Sequence, residues 1–412
     1  MKTLSVPSKA ELLKSYQQAE FFGKLFVMFD IAAAAVCLKY LDYSFFQTQQ
    51  AEVAIVLGLA VLPTLLSLAY VFGRNKKKIE DLRQDVQFGT LRKADIIEVC
   101  QTVSQRMKVN YNDVTFYVTA EKQINAGALS LGLGLLSNSL RVVFLNRATL
   151  HALKKDELMS VVAHELAHIY RYPLIFYQAL LIRLACAAVF YVTLLSVLNN
   201  VLIVALIVGV YQGIAANFFS RYSTTIEFLC DDTGAEVAGL EAALRAEYLI
   251  GKHAEILSDA YYLLLKAKVE GSSVSSRSIV QMLEDSMTFD GMTSEELQKQ
   301  LEAKLHEQEV KTSSSFFEHF KSQVFGDSHE GEQAIKEELE RLELSRKIPC
   351  IEFHGGEHST LTMTDFKELV MSLRKDPTKP LFRIPSDLDD TGESHPGPRR
   401  RIFYLWQEFA KT

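Results

Sequence analysis

The chain carries no C-x-x-C pair, and its five cysteines (Cys37, Cys100, Cys186, Cys230 and Cys350) are odd in number and scattered. That pattern excludes a disulfide framework and a cysteine zinc knuckle, and leaves reduced, mostly buried thiols. A basic excess is also missing. The net charge is -6 and the pI near 6.0, so nothing supports a nucleic-acid partner. No internal repeat is present. Proline is sparse, and five of the nine prolines fall within residues 376–398, which reads as a loop. The apolar fraction, 48%, is only modestly high for a globular protein, so composition alone does not mark a membrane protein. The apolar residues are clustered, however, and the clustering is informative.

A polar, helix-prone leader with Lys2, Lys9 and Lys14 precedes a first apolar run from about Leu25 to Leu41. A second run, Val53 to Phe72, ends in Arg74, Lys76, Lys77 and Lys78. Each is near the length a helix needs to cross a hydrocarbon core of about 30 Å. The loop between them, Asp42 to Glu52, holds acids and no base. Basic residues before the first run and after the second place the N terminus on the cytoplasmic side. A cleaved signal peptide is the rival reading of the first run, but the long polar leader and the absence of a small-x-small site disfavour it. Two more runs, Leu174–Leu198 and Val201–Phe219, are separated only by Asn199 and Asn200. They read as a transmembrane hairpin with a short outer turn, with Arg221 on the cytoplasmic side. Asp30 and Arg183 fall inside spans, where charges are normally paired or functional, and the expectation is that they pair.

Residues 75–172 between these pairs read as soluble. The spacing predicts a charged helix over Lys78–Arg92, a strand at Val114–Val118, a Gly-rich stretch from Asn125 to Gly134 and a strand at Arg141–Asn146. A helix from Lys155 to Tyr170 follows, with Asp156 and Glu157 in its first turn, where the helix dipole favours acids. Beyond Glu227 the chain reads as soluble and mostly helical, with a charged amphipathic helix at Glu332–Arg346.

The strongest chemical signal lies on the Lys155–Tyr170 helix, in Ser160-Val-Val-Ala-His164-Glu165-Leu-Ala-His168. Residues four apart share a helix face, so His164 and His168 can hold one Zn²⁺. Glu165 between them can serve as general base toward water activated by the metal. Ala163 and Ala167 border the motif in an apolar helix, where two histidines and a Glu would be costly to bury without a task. A catalytic zinc needs a third protein ligand. Glu227, in Glu227-Phe-Leu-Cys230-Asp231-Asp232, follows the hairpin directly, while His168 precedes it. The hairpin therefore returns Glu227 to the membrane face where the histidines sit. Asp231, one turn on, can orient a ligand histidine.

The order of two spans, HExxH, a two-span hairpin, Glu-x-x-small-Asp and a late His-Pro element resembles the HtpX-like membrane metallopeptidases, relatives of the CAAX prenyl protease. Asn125-Ala-Gly-Ala128 resembles that family's Asn-Ala-x-Ala element, and Asp156-Glu157-Leu158 its Asp-Glu-Leu lead-in. Ser394-His395-Pro396-Gly-Pro-Arg-Arg-Arg401-Ile402 resembles its C-terminal His-Pro and Arg-Ile element. The likeness covers residues 20–250 and 394–405. Cys230 departs from the usual alanine and Gly127 from a larger apolar residue, and both are small. The resemblance implies a zincin-like site at the cytoplasmic membrane face that cleaves peptide bonds, often in damaged membrane proteins. It implies Glu165 as general base and His164, His168 and Glu227 as ligands of one Zn²⁺ per chain. It further implies Asn125 and Ala126 as substrate-binding residues, and His395 and Arg401 beside the substrate or the oxyanion. Developing negative charge gives such a group a physical task.

The expected fold is a mainly α membrane protein with four transmembrane helices and a cytoplasmic zincin-like α+β catalytic domain. Its segments are 1–74 with two spans, 75–172 with the HExxH helix, 173–219 as hairpin, 220–264 with the third ligand, 265–390 as an insertion of unknown role and 391–412 with the His-Pro/Arg element. The expected partners are polypeptide substrates and a lipid bilayer, most simply a bacterial inner membrane. A site-2-type intramembrane protease is disfavoured, because Lys154, Lys155, Asp156 and Glu157 before the motif and Arg171 after it hold the helix at the interface. The hairpin between His168 and Glu227 disfavours a soluble thermolysin-like peptidase. A metal-stabilised scaffold recruiting partners through residues 265–390 is the non-enzymatic alternative.

Overall fold

The computed structural model describes residues 4, 6–40, 75–120, 124–131, 140–269, 329–351, 353, 361–384, 387 and 395–410, with scattered positions between 50 and 73. The chain divides into two compact units: residues 7–150 with 158–238, and residues 1–6, 151–157 and 239–412.

The first unit opens with α1 (Lys9–Tyr40), a single helix in which the polar leader runs straight into the apolar stretch. A small mixed sheet follows. Its strands are β1 (Lys76–Lys78), β4 (Thr115–Thr119), β5 (Ala126–Leu131) and β6 (Leu140–Asn146), in the order β1-β4-β6-β5. β4 runs parallel to β6, while β1 and β5 are antiparallel to their neighbours. β-branched and aromatic residues favour β4 and β6. Val142, Val143, Phe144 and Leu145 of β6 are all buried without alternation, as in a strand covered on both faces.

Two expectations are corrected here. Lys78–Arg92 is not a helix. It holds the end of β1, a short 3-10 turn at Ile79–Asp81 and a hairpin of β2 (Gln87–Phe88) and β3 (Leu91–Arg92). Its buried residues, Ile79, Phe88 and Leu91, do not fall on one helical stripe, and Gly89 at φ 54 turns the chain back. The Gly-rich stretch from Asn125, to which the sequence assigns no strand, holds one: Ala126–Leu131 pairs with β6 along its whole length as β5.

Between β3 and β4 lies α2 (Lys93–Arg106), and after β6 come α3 (Arg147–Ala152) and α4 (Lys155–Tyr170). The expected third run is broken at Ala179 into α5 (Ile175–Gln178) and α6 (Leu180–Leu198). α7 (Val201–Ser220) returns the chain. The Asn199–Asn200 turn is as expected. Asn199 ends α6 in the left-handed region at φ 46, and the Asn200 side chain accepts the Leu202 and Ile203 N–H groups as an N-cap. α8 (Ser223–Ala238) completes the unit.

Three described helical stretches are long and apolar enough to cross a membrane: Lys9–Lys39, Leu180–Leu198 and Val201–Ala238, the last of which is α7 running through a two-residue turn into α8. They mark an integral, multi-pass membrane protein. Large apolar side chains stand open on them, Met28 at 65%, Leu202 at 80% and Leu206 at 66%, which suits lipid and not water. The expected second span, Val53–Phe72, lies outside the described residues except for scattered positions.

Within the spans, Asp30 and Arg183 pair as expected. Arg183 Nε lies 3.0 Å from Asp30 Oδ2, and both side chains are buried. Arg183 Nη2 also donates to Gln212 Oε1 at 3.2 Å, the Tyr211 hydroxyl donates to Asp30, and the guanidinium lies 3.7 Å from the Phe176 ring centroid. Three spanning helices are thereby fixed in one register.

The second unit contains α9 (Leu240–Val269), α10 (His329–Arg346), α11 (Met363–Lys375) and α12 (Pro398–Phe409). α10 matches the expected charged helix. Leu339 and Leu342 of α10 pack on Leu265 of α9, and Phe366 of α11 and Phe382 pack around Tyr248 of α9. Asp387 is buried here and accepts the Phe382 and Arg399 N–H groups. Burial outweighs those donors and raises its pKa to about 6.

Candidate active site

α4 starts on charge. Glu157 Oε2 accepts the Lys154 N–H at 2.7 Å, and Oε1 lies 3.2 Å from Arg245 Nε on α9. Burial raises the Glu157 pKa against the lowering effect of that N–H and of Arg245. Further along, Ser160, His164 and His168 succeed each other at one-turn intervals.

α8 lies against that face with little space between the backbones. A Cβ on Gly234 would meet Ser160 Oγ at 2.7 Å and the Ser160 carbonyl oxygen at 3.0 Å. Glycine at this position allows the approach. A glycine inside a helix costs about 1 kcal/mol relative to alanine, so its presence in α8 was the sequence signal for close packing, and sequence reasoning missed it.

The approach brings the expected ligands together. His164 Nε2 lies 3.1 Å from His168 Nε2 and 3.3 Å from Glu227 Oε2, and His168 Nε2 lies 3.5 Å from Glu227 Oε1. His164 and Glu227 are buried. These three residues form a metal-binding group. Asp231 Oδ1 sits 2.8 Å from His164 Nδ1. A carboxylate there accepts a hydrogen bond from Nδ1–H, which favours the tautomer that turns Nε2 toward His168 and Glu227 as a ligand atom. As protein alone, burial lowers the proton affinity of His164, but the carboxylates of Asp231 and Glu227 outweigh it and push the pKa up to about 10. The field of the pocket favours a cation.

Glu165 is buried on the same helix, directly after His164. Asn125 is held at the start of β5. Its N–H donates to Thr149 Oγ1 at 2.9 Å, its carbonyl accepts the Thr149 hydroxyl at 2.6 Å, and its side-chain oxygen accepts the Ala126 N–H at 2.9 Å. Among the described residues, β5 forms one edge of the sheet. His395 and Arg401 belong to the second unit. His395 is exposed, and Arg401 Nη2 lies 2.9 Å from Glu247 Oε1 on α9, with both side chains largely buried. Sequence reasoning had no signal for this pairing of Glu247 with Arg401.

Comparison with known proteins gave one family. The model of peptidase family M48 matches residues 90–405, from the β2–β3 hairpin to α12. A search of curated proteins and one of solved structures found no match. The matched stretch contains His164, His168 and Glu227 in the geometry just described and covers well over half of the chain. The expected metallopeptidase family is therefore the right one, and the chain belongs to peptidase family M48.

Proposed function

We propose that this M48 metallopeptidase is a zinc-dependent endopeptidase. It cleaves polypeptides at the cytoplasmic face of a bacterial inner membrane, and its substrates are misfolded or damaged membrane proteins. The observation that carries the zinc reading is the spacing of the donor atoms. Ligands about 2.0–2.1 Å from a tetrahedral zinc stand about 3.3 Å from one another. The three separations in the structure are 3.1, 3.3 and 3.5 Å. Two imidazoles and one carboxylate are also a borderline-soft donor set of the kind zinc takes.

When bound, zinc supplies Lewis acidity, which acidifies water and polarises the scissile carbonyl. The residues of the chain do the rest. Asp231 holds the tautomer and orientation of His164. Glu165 accepts the proton of the attacking water and returns it to the leaving amine. β5, the outer strand among the described residues, is placed to take an extended peptide alongside it, with Asn125 and Ala126 at its start. His395 and Arg401 stand beside the substrate or the oxyanion, as the resemblance implies, with Glu247 holding the guanidinium in place. The finer topology is four spans, with Val53–Phe72 as the second, and an N terminus on the cytoplasmic side.

Metal analysis paired with a cleavage assay tests the reading. Detergent-purified wild type and Glu165→Gln are compared on an unfolded model protein, with and without a chelator. One zinc per chain in both, with chelator-sensitive cleavage only in wild type, is the expected result. The variant should lose at least about 10³-fold, within the range of a lost general base in a metal site. Zinc in both with no cleavage by either would overturn the endopeptidase reading in favour of a metal-stabilised scaffold. No zinc in either would overturn the metal assignment.

A further inference from the structure

α1 lies outside residues 90–405, the stretch matched by the family model. Its first half nonetheless reaches both helices that carry the metal group. Ser8 and Glu11 fix its start: the Ser8 N–H and hydroxyl donate to Glu11 Oε2 at 2.8 and 2.9 Å. Lys9 comes next, and a cation in a first turn opposes the helix dipole. The compensation comes from α8. Lys9 Nζ lies 2.9 Å from Glu236 Oε1 and 3.3 Å from Asp232 Oδ2. Asp232 is buried and follows Asp231, the carboxylate behind His164. Glu236 also accepts Arg171 Nη1 at 2.6 Å, and Arg171 directly follows α4. A charge chain of Lys9, Glu236 and Arg171 thus joins α1, α8 and the end of the HExxH helix.

Further along α1, the Tyr16 hydroxyl donates to the Pro173 carbonyl at 3.0 Å, and Glu20 Oε1 accepts the Ile175 N–H at 2.8 Å. Between these anchors Ala19, with no exposed surface, packs in one cluster with Ala167, Ile226 and Cys230. Ala167 precedes His168, and Ile226 precedes Glu227. Through Ala19, α1 therefore packs against the sequence neighbours of two of the metal ligands.

We infer that Lys9 to Glu20 of α1 is a brace for the metal site, and that Lys9 is a positioning residue: its ammonium draws Asp232 and Glu236 onto α1 and fixes α8 where Glu227 meets the two histidines. The inference rests on the metallopeptidase reading of that site. A partly exposed lysine pair adds little to overall stability, so its contribution is to geometry and shows in turnover and metal retention.

The test uses the full chain in detergent, with unfolded model protein as substrate and a chelator titration as second readout. Lys9→Met should lower kcat about tenfold with KM within about twofold, and should release zinc at about tenfold lower chelator concentration. Lys9→Arg, which keeps the charge, should recover to within about threefold of wild type. Lys14→Met, an exposed charge on the same helix, should behave as wild type. Tyr16→Phe removes only the hydroxyl on Pro173 and should lower kcat about threefold. Wild-type kcat and zinc retention in Lys9→Met, or equal losses in Lys9→Met and Lys14→Met, would overturn the brace, as would a change confined to KM. Should Lys9→Met fail to fold, Tyr16→Phe decides, and wild-type kcat there overturns the proposal. Cleavage by Glu165→Gln at the wild-type rate would instead sink the endopeptidase reading, and the chelator titration of Lys9→Met would still decide the brace.

Discussion

Two groups of buried charge lie between helices of the first unit, and they are built in opposite ways. In the spans, Asp30, Arg183, Gln212 and Tyr211 set donors against acceptors, and the charges of Asp30 and Arg183 cancel at 3.0 Å. On α4 and α8, His164, His168 and Glu227 bring acceptor atoms to 3.1, 3.3 and 3.5 Å from one another, with Asp231 behind His164. The first group is complete as protein. The second becomes favourable when a cation sits among the acceptors. Burial of charge alone does not separate a structural joint from a reactive centre. The sign of what faces what does.

Breaking the complete group should have the larger effect on stability. Arg183→Met leaves Asp30 charged among apolar helices, and the expected loss is ~3–5 kcal/mol. Unfolding in detergent would measure it. The double variant Asp30→Asn with Arg183→Gln should recover more than half of that loss, because two neutral amides still suit Tyr211 and Gln212. A double variant as unstable as the single one would show that the two charges are not coupled, and the contrast between the two groups would fall. Asp231→Asn makes the matching change at the metal group. The fold should survive, while zinc affinity drops by about ten- to a hundredfold as the charged acceptor behind His164 is lost. Competition with a chromogenic chelator reads this directly, and wild-type affinity would remove Asp231 from the site.

The sequence revealed the chemistry far better than the packing that serves it. The residues of the HExxH helix lie on one stretch of chain, so Lys155–Tyr170 and its ligand pair could be read from spacing alone. Glu227 was also legible, because a hairpin has to return its end to where it began. Asn199 and Asn200 marked that hairpin turn through local backbone preference. Sheet pairing and helix approach depend on residues far apart in sequence. The helical expectation over Lys78–Arg92 failed because Lys76–Lys78 finds its partner at Tyr117–Thr119, which local charge patterning cannot show. β5 was read only as a Gly-rich stretch, since its strand character comes from pairing with β6. The contacts of Lys9 and of Arg401 with Glu236 and Glu247 join segments with no shared motif.

Gly234 offers the finest division between the two kinds of group. In Gly234→Ala the new methyl would stand 3.0 Å from the backbone oxygen of Ser160, which cannot rotate away as Ser160 Oγ can. α8 must then shift from α4 by a few tenths of an ångström. Overpacking of this sort costs about 1–3 kcal/mol, but alanine returns about 1 kcal/mol through its better helix propensity. The net stability change should therefore be small. The metal group has no such compensation, because Glu227 and Asp231 ride on α8 while both histidines ride on α4. The expected outcome is a kcat lowered about three- to tenfold with weaker zinc retention, against a melting temperature within a few degrees of wild type. A variant with wild-type turnover would mean that the donor set tolerates movement of its two helices. A variant that loses stability and turnover in step would mean that the α4–α8 contact is a structural joint like the one around Asp30.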